Sequence, residues 1–285
     1  MAIKGLSIPA MADYSYDGNR AKYTNGFICG SAVEYGVDIE TTDDNHLRAD
    51  NRIKEHDYGT FNSGTLTLNT SDLDAYTSKR LLGLKEVKRQ IGEKTVTELV
   101  YDDDAKTKEK GFGIIEEHQI DDVDHYRAVI LAKITPKIPP EAATTREDEI
   151  EWQTKELECG IERSDESNET YKHPWKFEAW FNSESDALEY IKTILNVMNR
   201  VVAKSEEGTT NGKTKITVEN AAGNTYKYST TGPEPTYKQD LQSWTELNMG
   251  EEIEAQNGST LYVAQVDSEG KAIGFGTVTV KAKGE

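Results

Sequence analysis

Apolar and polar residues alternate along residues 32–42, with Val33, Tyr35, Val37 and Ile39 on one side and Glu34, Asp38 and Glu40 on the other. A period of two is that of a strand with one buried face and one wet, acidic face. The polar stretch TTDDNH follows, then a second extended run over residues 47–58. Together they predict a long hairpin with its tip around Thr42, Asp43, Asp44, Asn45 and His46. The run GTLTLN at residues 64–69 continues the strand pattern, with Leu66 and Leu68 sharing a face.

A helix is predicted over residues 71–82, with Ser71 as N-cap, Asp72 and Asp74 at the positive end of the dipole, and Gly83 as the stop. Further strands are expected at 95–101 and 111–117, separated by the charged turn DDDAKTKEK. Residues 126–134 are apolar on both faces and read as an inner strand, ended by Pro136, Pro139 and Pro140. Leu157, Cys159 and Ile161 then alternate with Glu156, Glu158 and Glu162, repeating the pattern of the first strand. An aromatic, strand-like segment at 173–181 leads into the best helix of the chain, capped by Ser185. Its packing stripe is Leu188, Ile191, Ile194, Leu195 and Met198.

After Val202 the texture changes. A polar, glycine-bearing linker, KSEEGTTNG, precedes the strand-like runs KITVEN, TYKYST, TLYVAQV and GTVTVKA. The last two are joined by a hairpin turn at Asp267, Ser268, Glu269 and Gly270. The expected division is a first domain at 1–202 and a small all-β domain at 203–285 that suits an immunoglobulin-like sandwich.

Composition sharpens this picture. The chain of 285 residues carries 33 Lys and Arg against 51 Asp and Glu, a net charge of −18. Its summed field repels polyanions, which argues against a protein that grips nucleic acid through phosphates. From Arg200 onward there are 9 basic and 12 acidic residues, a net −3, so −15 belongs to the rest. Only 35% of residues are hydrophobic, and alternation is what lets so few of them cover a core. No run approaches the roughly 18 apolar residues of a membrane helix, and the start MAIKGLSIPAMADYSYDG lacks the apolar segment of an export signal. The expectation is a protein made and kept in a cytoplasm, with no membrane contact. Cys29 and Cys159 are too few for a disulfide framework or a structural zinc site and read as reduced strand residues.

Candidate chemistry is thin. The cluster HQIDDVDH (118–125) mixes imidazole and carboxylate but reads first as an acidic turn. Asp102, Asp103 and Asp104 lack the spacing of a calcium loop. A glycosidase using an acidic pair is a conceivable reading, yet any chain this acidic offers many pairs. There is no GxSxG, P-loop, GxGxxG or HExxH motif. GFG occurs at 111–113 and 274–276 and marks strand bends or close backbone contacts, while Trp152, Trp175, Trp180 and Trp244 read as core aromatics before a sugar platform. No catalytic residue, cofactor or metal is predicted, and the protein is expected not to be an enzyme.

The segments LRADNRIKE, GTLTLNTSDLDAYTSKRLLG, EIEWQTKELECGIER and SESDALEYIKTIL together resemble, over roughly residues 1–200, the major tail proteins or tail tube proteins of long-tailed phages and prophages of Gram-positive bacteria. That resemblance implies a mainly β fold: a tail-tube β-sandwich or barrel with a flanking helix and a long hairpin, plus a C-terminal immunoglobulin-like sandwich. It further implies self-assembly as hexameric rings stacked into a tube, contact with other tail proteins, and phage DNA sliding through a lumen without specific binding. The location would be the virion, with assembly in the bacterial host cytoplasm. Glu34, Asp38, Glu40, Glu156, Glu158 and Glu162 are then either lumen residues or outward-facing ones, and Thr42 to His46 are candidates for ring-to-ring contact. The outer domain would make weak host-surface contacts useful through many copies. The alternative from another class is a cell-surface carbohydrate- or protein-binding β module.

Overall fold

Twelve strands and two helices are found in chain order among the described residues of the first unit: β1 (Ala2–Tyr16), β2 (Ala21–Ile28), β3 (Ala32–Thr41), β4 (Asn45–Ala49), β5 (Arg52–Asp57), β6 (Phe61–Thr70), α1 (Ala75–Leu82), β7 (Lys85–Ile91), β8 (Lys94–Val100), β9 (Lys110–Ile120), β10 (Val123–Pro136), β11 (Lys155–Glu162), β12 (Lys176–Phe181) and α2 (Glu184–Leu195). The second unit holds β13 (Asn199–Arg200), β14 (Ala203–Glu207), β15 (Lys213–Val218), β16 (Thr225–Ser229), β17 (Thr245–Glu246), β18 (Glu252–Glu254), β19 (Thr260–Val266) and β20 (Ala272–Thr279). The units are Met1–Leu195 and Asn196–Glu285. This computed structural model describes residues 2–141, 145 and 154–284; Trp152 and the other residues of 142–144 and 146–153 lie outside it. The chain is mainly β, with several separate sheets.

In the first unit the main sheet runs β2-β1-β9-β10-β11-β6-β3, with β12 pairing β10 as well. All of its pairings are antiparallel. Alternation places Leu66 and Leu68 of β6, Leu157, Cys159 and Ile161 of β11, and Phe112 and Ile114 of β9 on one inner face. Leu81 and Leu82 of α1 complete that core. The sheet curls, so that the Tyr35 hydroxyl of β3 donates to Glu116 on β9. It does not close: β2 and β3 remain at the ends of the strand order. The expected barrel is therefore corrected to a curled, open sheet.

On the other face of β9, Gly111 and Gly113 let α2 approach closely. A Cβ at Gly111 would lie 2.8 Å from Leu195, and one at Gly113 would lie 3.1 Å from Ile191. The first GFG is thus a helix-packing notch. In α1 the cap is Asp74, whose carboxylate accepts from the Thr77 amide at 2.7 Å, rather than Ser71. In α2 the Ser183 hydroxyl, one residue ahead of the helix, accepts from the Asp186 amide at 3.2 Å and caps it in place of Ser185.

Three further differences from the sequence pattern have physical causes. β1, the longest strand, hides from a period-two reading because its register shifts at Ile3/Gly5 and Ser7/Ala10, and Ile8 takes φ 54°. The run 47–58 does not return along β3. It folds on itself as β4 and β5, with Asp50 and Asn51 both at positive φ in a tight turn. The expected hairpin tip at Asp43 to His46 is instead the hairpin's base. Finally, the polar stretch after Val202 is not a linker, since Ala203–Glu207 pairs in register with β15.

The second unit stacks two sheets, β13-β20-β19-β16-β17 and β14-β15-β18. Ile216, Val218, Tyr226, Leu261, Val263 and Val280 form the core between them, as in a β-sandwich. β13 runs parallel to β20, and the remaining pairs are antiparallel. Here the second GFG has its use: a Cβ on Gly276 would collide with the carbonyl of Val201, just after β13.

Candidate functional site

The pairing register gathers all six acidic strand residues onto one surface. Glu34 lies opposite Asn69, which lies opposite Glu156; Asp38 faces Thr65, and Thr67 faces Glu158. β3, β6 and β11 thus present carboxylates on the outer two strands and the hydroxyls and amide of Ser63, Thr65, Thr67 and Asn69 between them. Glu34, Asp38, Glu40, Glu156 and Glu162 are exposed, and Glu158 is half-buried. Glu40 accepts from the Ser63 hydroxyl at 2.8 Å.

Cations border this face where β10 joins it. The register shift between Leu131 and Ile134 returns Ile134 to the core and sends Lys133 to the outer side, opposite Glu162. There the Lys133 ammonium is 2.9 Å from Glu109, 3.1 Å from Asp165 and 3.8 Å from Glu162. Burial pulls its pKa down, but Glu109 and Asp165 outweigh that and raise it. Burial likewise pushes Asp165 up, and Lys133 and Tyr14 hold it below the usual carboxylate range. Lys137 pairs with Glu158, and Thr135 donates to Glu162 at 3.0 Å. An open depression of about 550 Å³ lies beside Lys133, lined by Thr42, Ser63, Glu162 and Arg163 among others. Strand periodicity alone missed Lys133, because only the bulge turns it outward.

The hairpin-base residues are exposed and tied to the segment that leads into β6. The Thr42 amide donates to the Thr60 carbonyl at 2.8 Å and the Gly59 amide donates to Asp44 at 2.7 Å. The Gly59 amide first, and then the His56 ring, hold the Asp44 carboxyl below its ordinary value. His46 and His56 meet across the strands at 4.1 Å, and Tyr58 lies 3.8 Å beyond His56. Asp43 and Asn45 are exposed beside them.

A second polar group sits inside the curled sheet. Glu116, 2% exposed, accepts from Tyr35, from Arg127 at 3.0 Å, and lies 2.8 Å from Nε2 of His118. Burial raises the Glu116 pKa, but these three partners together bring it below its ordinary value. Arg127 also pairs with Glu178. The other candidates disperse: His118 and His125 face one another across the β9–β10 ladder, and Asp102 and Asp104 bind Lys85 at 2.9 and 3.0 Å. Trp175 stacks on Phe61 at 4.8 Å, Trp180 lies by Arg127, and Trp244 packs in the second unit, so these three form no common platform. Among the described residues no group of three or more His, Cys, Asp or Glu is placed to hold a metal. Cys29 and Cys159 are both buried, and burial pushes the Cys29 thiol up to about 12.

What these surfaces define is a mainly β protein that carries broad polar strand faces. Residues 206–283 match the family described as the S-layer protein SbsC C-terminal domain, a match that lies wholly within the second unit. No curated protein matches. Among solved structures, one similar chain is the crystal structure of the S-layer protein SbsC, domains 7, 8 and 9, at 12% identity, covering 79% of this chain and 71% of that one, with a TM-score of 0.26. A superposition that loose carries no argument about the fold.

The family match overturns the tail-tube expectation. The hexameric rings stacked into a tube, the other tail proteins, the phage DNA in a lumen, the virion location and assembly in a host cytoplasm are all withdrawn, because the family pattern found in the chain, over residues 206–283, is that of an S-layer protein domain. The reason is that the resemblance rested on the order and texture of acidic-faced strands, and such strands serve any layered β protein with one face in water. The segment with a family-specific pattern is 206–283.

Proposed function

We propose that this chain is a non-enzymatic structural protein of a cell-surface assembly. The second unit acts as its S-layer-type module, and the first supplies surfaces for lateral contact between copies. The observation that carries this reading is the match of residues 206–283, which falls on one compact unit with its own core. The strand order of that unit supports an immunoglobulin-like assignment: the three-stranded sheet reads A-B-E and the five-stranded sheet carries the C-F-G arrangement as β16, β19 and β20. The family is named for a structural layer, which favours a role without catalysis.

Exposed apolar residues support the contact role. The β4–β5 hairpin displays Leu47 at 58% and Ile53 at 52% exposure, and the β7–β8 hairpin displays Val87, Ile91 and Val96. Each hairpin forms a two-stranded sheet of its own. A lone two-stranded ribbon is marginal in water, so cover from a neighbouring copy would stabilise both. Co-sedimentation of the purified chain with cell-wall fragments tests the reading. Retention of the full chain and of a 196–285 fragment on the fragments is expected; a chain that stays in the supernatant at every concentration would remove the surface assignment.

A further inference from the structure

A cavity of about 270 Å³ opens in the first unit where β2, β12, α2 and the segment after β11 converge. Tyr23, Tyr171, Phe177 and Tyr190 line it, with Ile194 at its rim and Glu166 in its wall. The rings are fixed. The Tyr23 hydroxyl donates to the Ala132 carbonyl at 2.7 Å, Tyr171 meets Phe177 edge-on at 5.7 Å, and Tyr190 leans on Phe181 at 5.6 Å.

The carboxylate is fixed too, and by neutral donors. Glu166 accepts from the Ala21 amide at 3.0 Å, the Tyr171 hydroxyl at 2.8 Å and the Asn168 side chain at 3.1 Å. Among the described residues no Lys, Arg or His pairs with it, and none lines the cavity. Its negative charge therefore stands uncompensated beside four aromatic rings. Burial, reinforced by Tyr14, Glu166 and Tyr171, raises the Tyr23 pKa, and burial raises that of Tyr190, so these rings stay neutral.

Apart from the hydroxyls of Tyr190 and Thr193, the polar side-chain atoms in this wall are already committed within the protein. Tyr23 is spent on Ala132, both Glu166 oxygens are occupied, and the Ser164 hydroxyl meets Tyr14 and the Glu166 amide. A sugar, which needs several free directional partners, finds few here. What remains on offer is fixed negative charge and π surface, and neither asks the ligand for a hydrogen bond. We infer that this pocket binds a methylated ammonium group, a cation with an apolar coat, held by Glu166 and by Tyr23, Tyr171, Phe177 and Tyr190. The site lies wholly within the first unit and stands whether or not the surface-assembly reading holds.

The test is titration of the full chain with tetramethylammonium, choline and phosphocholine while the tyrosine ring resonances are followed by NMR. Saturable shifts at Tyr171 and Tyr190 are expected. The neutral isostere 3,3-dimethylbutanol should bind about tenfold or more weaker. Glu166→Gln keeps an acceptor for the Ala21 amide and should weaken the cations by about tenfold while leaving the isostere unchanged. Tyr190→Leu should weaken the cations as well, with the melting temperature of both variants checked against the parent. Phosphocholine binding as well as choline assigns the group to a phosphodiester-linked head group; much weaker binding assigns it to a free cation. Equal binding of the neutral isostere, undiminished binding in both variants, or no saturable shift with any of the cations would overturn the inference.

Discussion

Glu116 is the residue on which the interior of the first unit is most exposed to failure. It holds one negative charge among Tyr35, His118 and Arg127 at 2% exposure. Removing one partner from such a buried pair strands the other, which costs about 3 kcal/mol or more. Glu116→Gln is therefore expected to lower the stability of this unit by about that amount in urea unfolding, with the second unit unaffected. Its pH dependence has a definite sign. The folded carboxyl titrates below the unfolded one, so the stability it contributes is present above the unfolded value and is lost as pH falls through the folded value. Acid unfolding of the parent should steepen below about pH 4.5, and Glu116→Gln should flatten that limb. Gly276→Ala tests the second unit in the same way: with no room beside the Val201 carbonyl, the added methyl should cost about 1 to 3 kcal/mol by thermal melting.

At the level of elements, the two free hairpins behave unlike the rest of the first unit. Replacing Leu47 and Ile53 with Ser removes apolar surface that touches no core, so the change in folding stability should stay within about 0.5 kcal/mol. If these residues meet a neighbouring copy, the same pair of changes lowers self-association measured by sedimentation velocity, and unchanged association would exclude that role. This is also the scale at which the sequence was most and least readable. β3, β6 and β11 announce themselves by strict alternation, and the pattern correctly set Leu66, Leu68, Leu157, Cys159 and Ile161 inward. Alternation says nothing of a strand's partner, so residues 47–58 read as the return of β3 when Asp50 and Asn51 turn them back on themselves. Bulges broke the period in β1 and hid it, and another turned Lys133 out of the core toward Glu109 and Asp165. The aromatic pocket was invisible for a different reason: its lining comes from residues 21 to 194, and no local spacing unites them.

On the scale of the whole molecule, the chain is two units, each with its own sheets and core. A fragment of residues 196–285 is expected to fold alone and to unfold in one cooperative transition by circular dichroism; a featureless spectrum would show that its core needs the rest of the chain. Sequence texture pointed to a layered β protein with acidic faces, and that coarse picture stands. It could not say what such faces are for, because an acidic strand face serves equally in a conduit, in a lattice or in plain solvent. The match of residues 206–283 to an S-layer domain family is what supports the proposed cell-surface reading. Negative-stain electron microscopy of the purified full chain, alone and on cell-wall fragments, addresses that choice most directly. Flat, laterally ordered sheets attached to the fragments are predicted; hollow tubes, or single particles that ignore the wall, would contradict it.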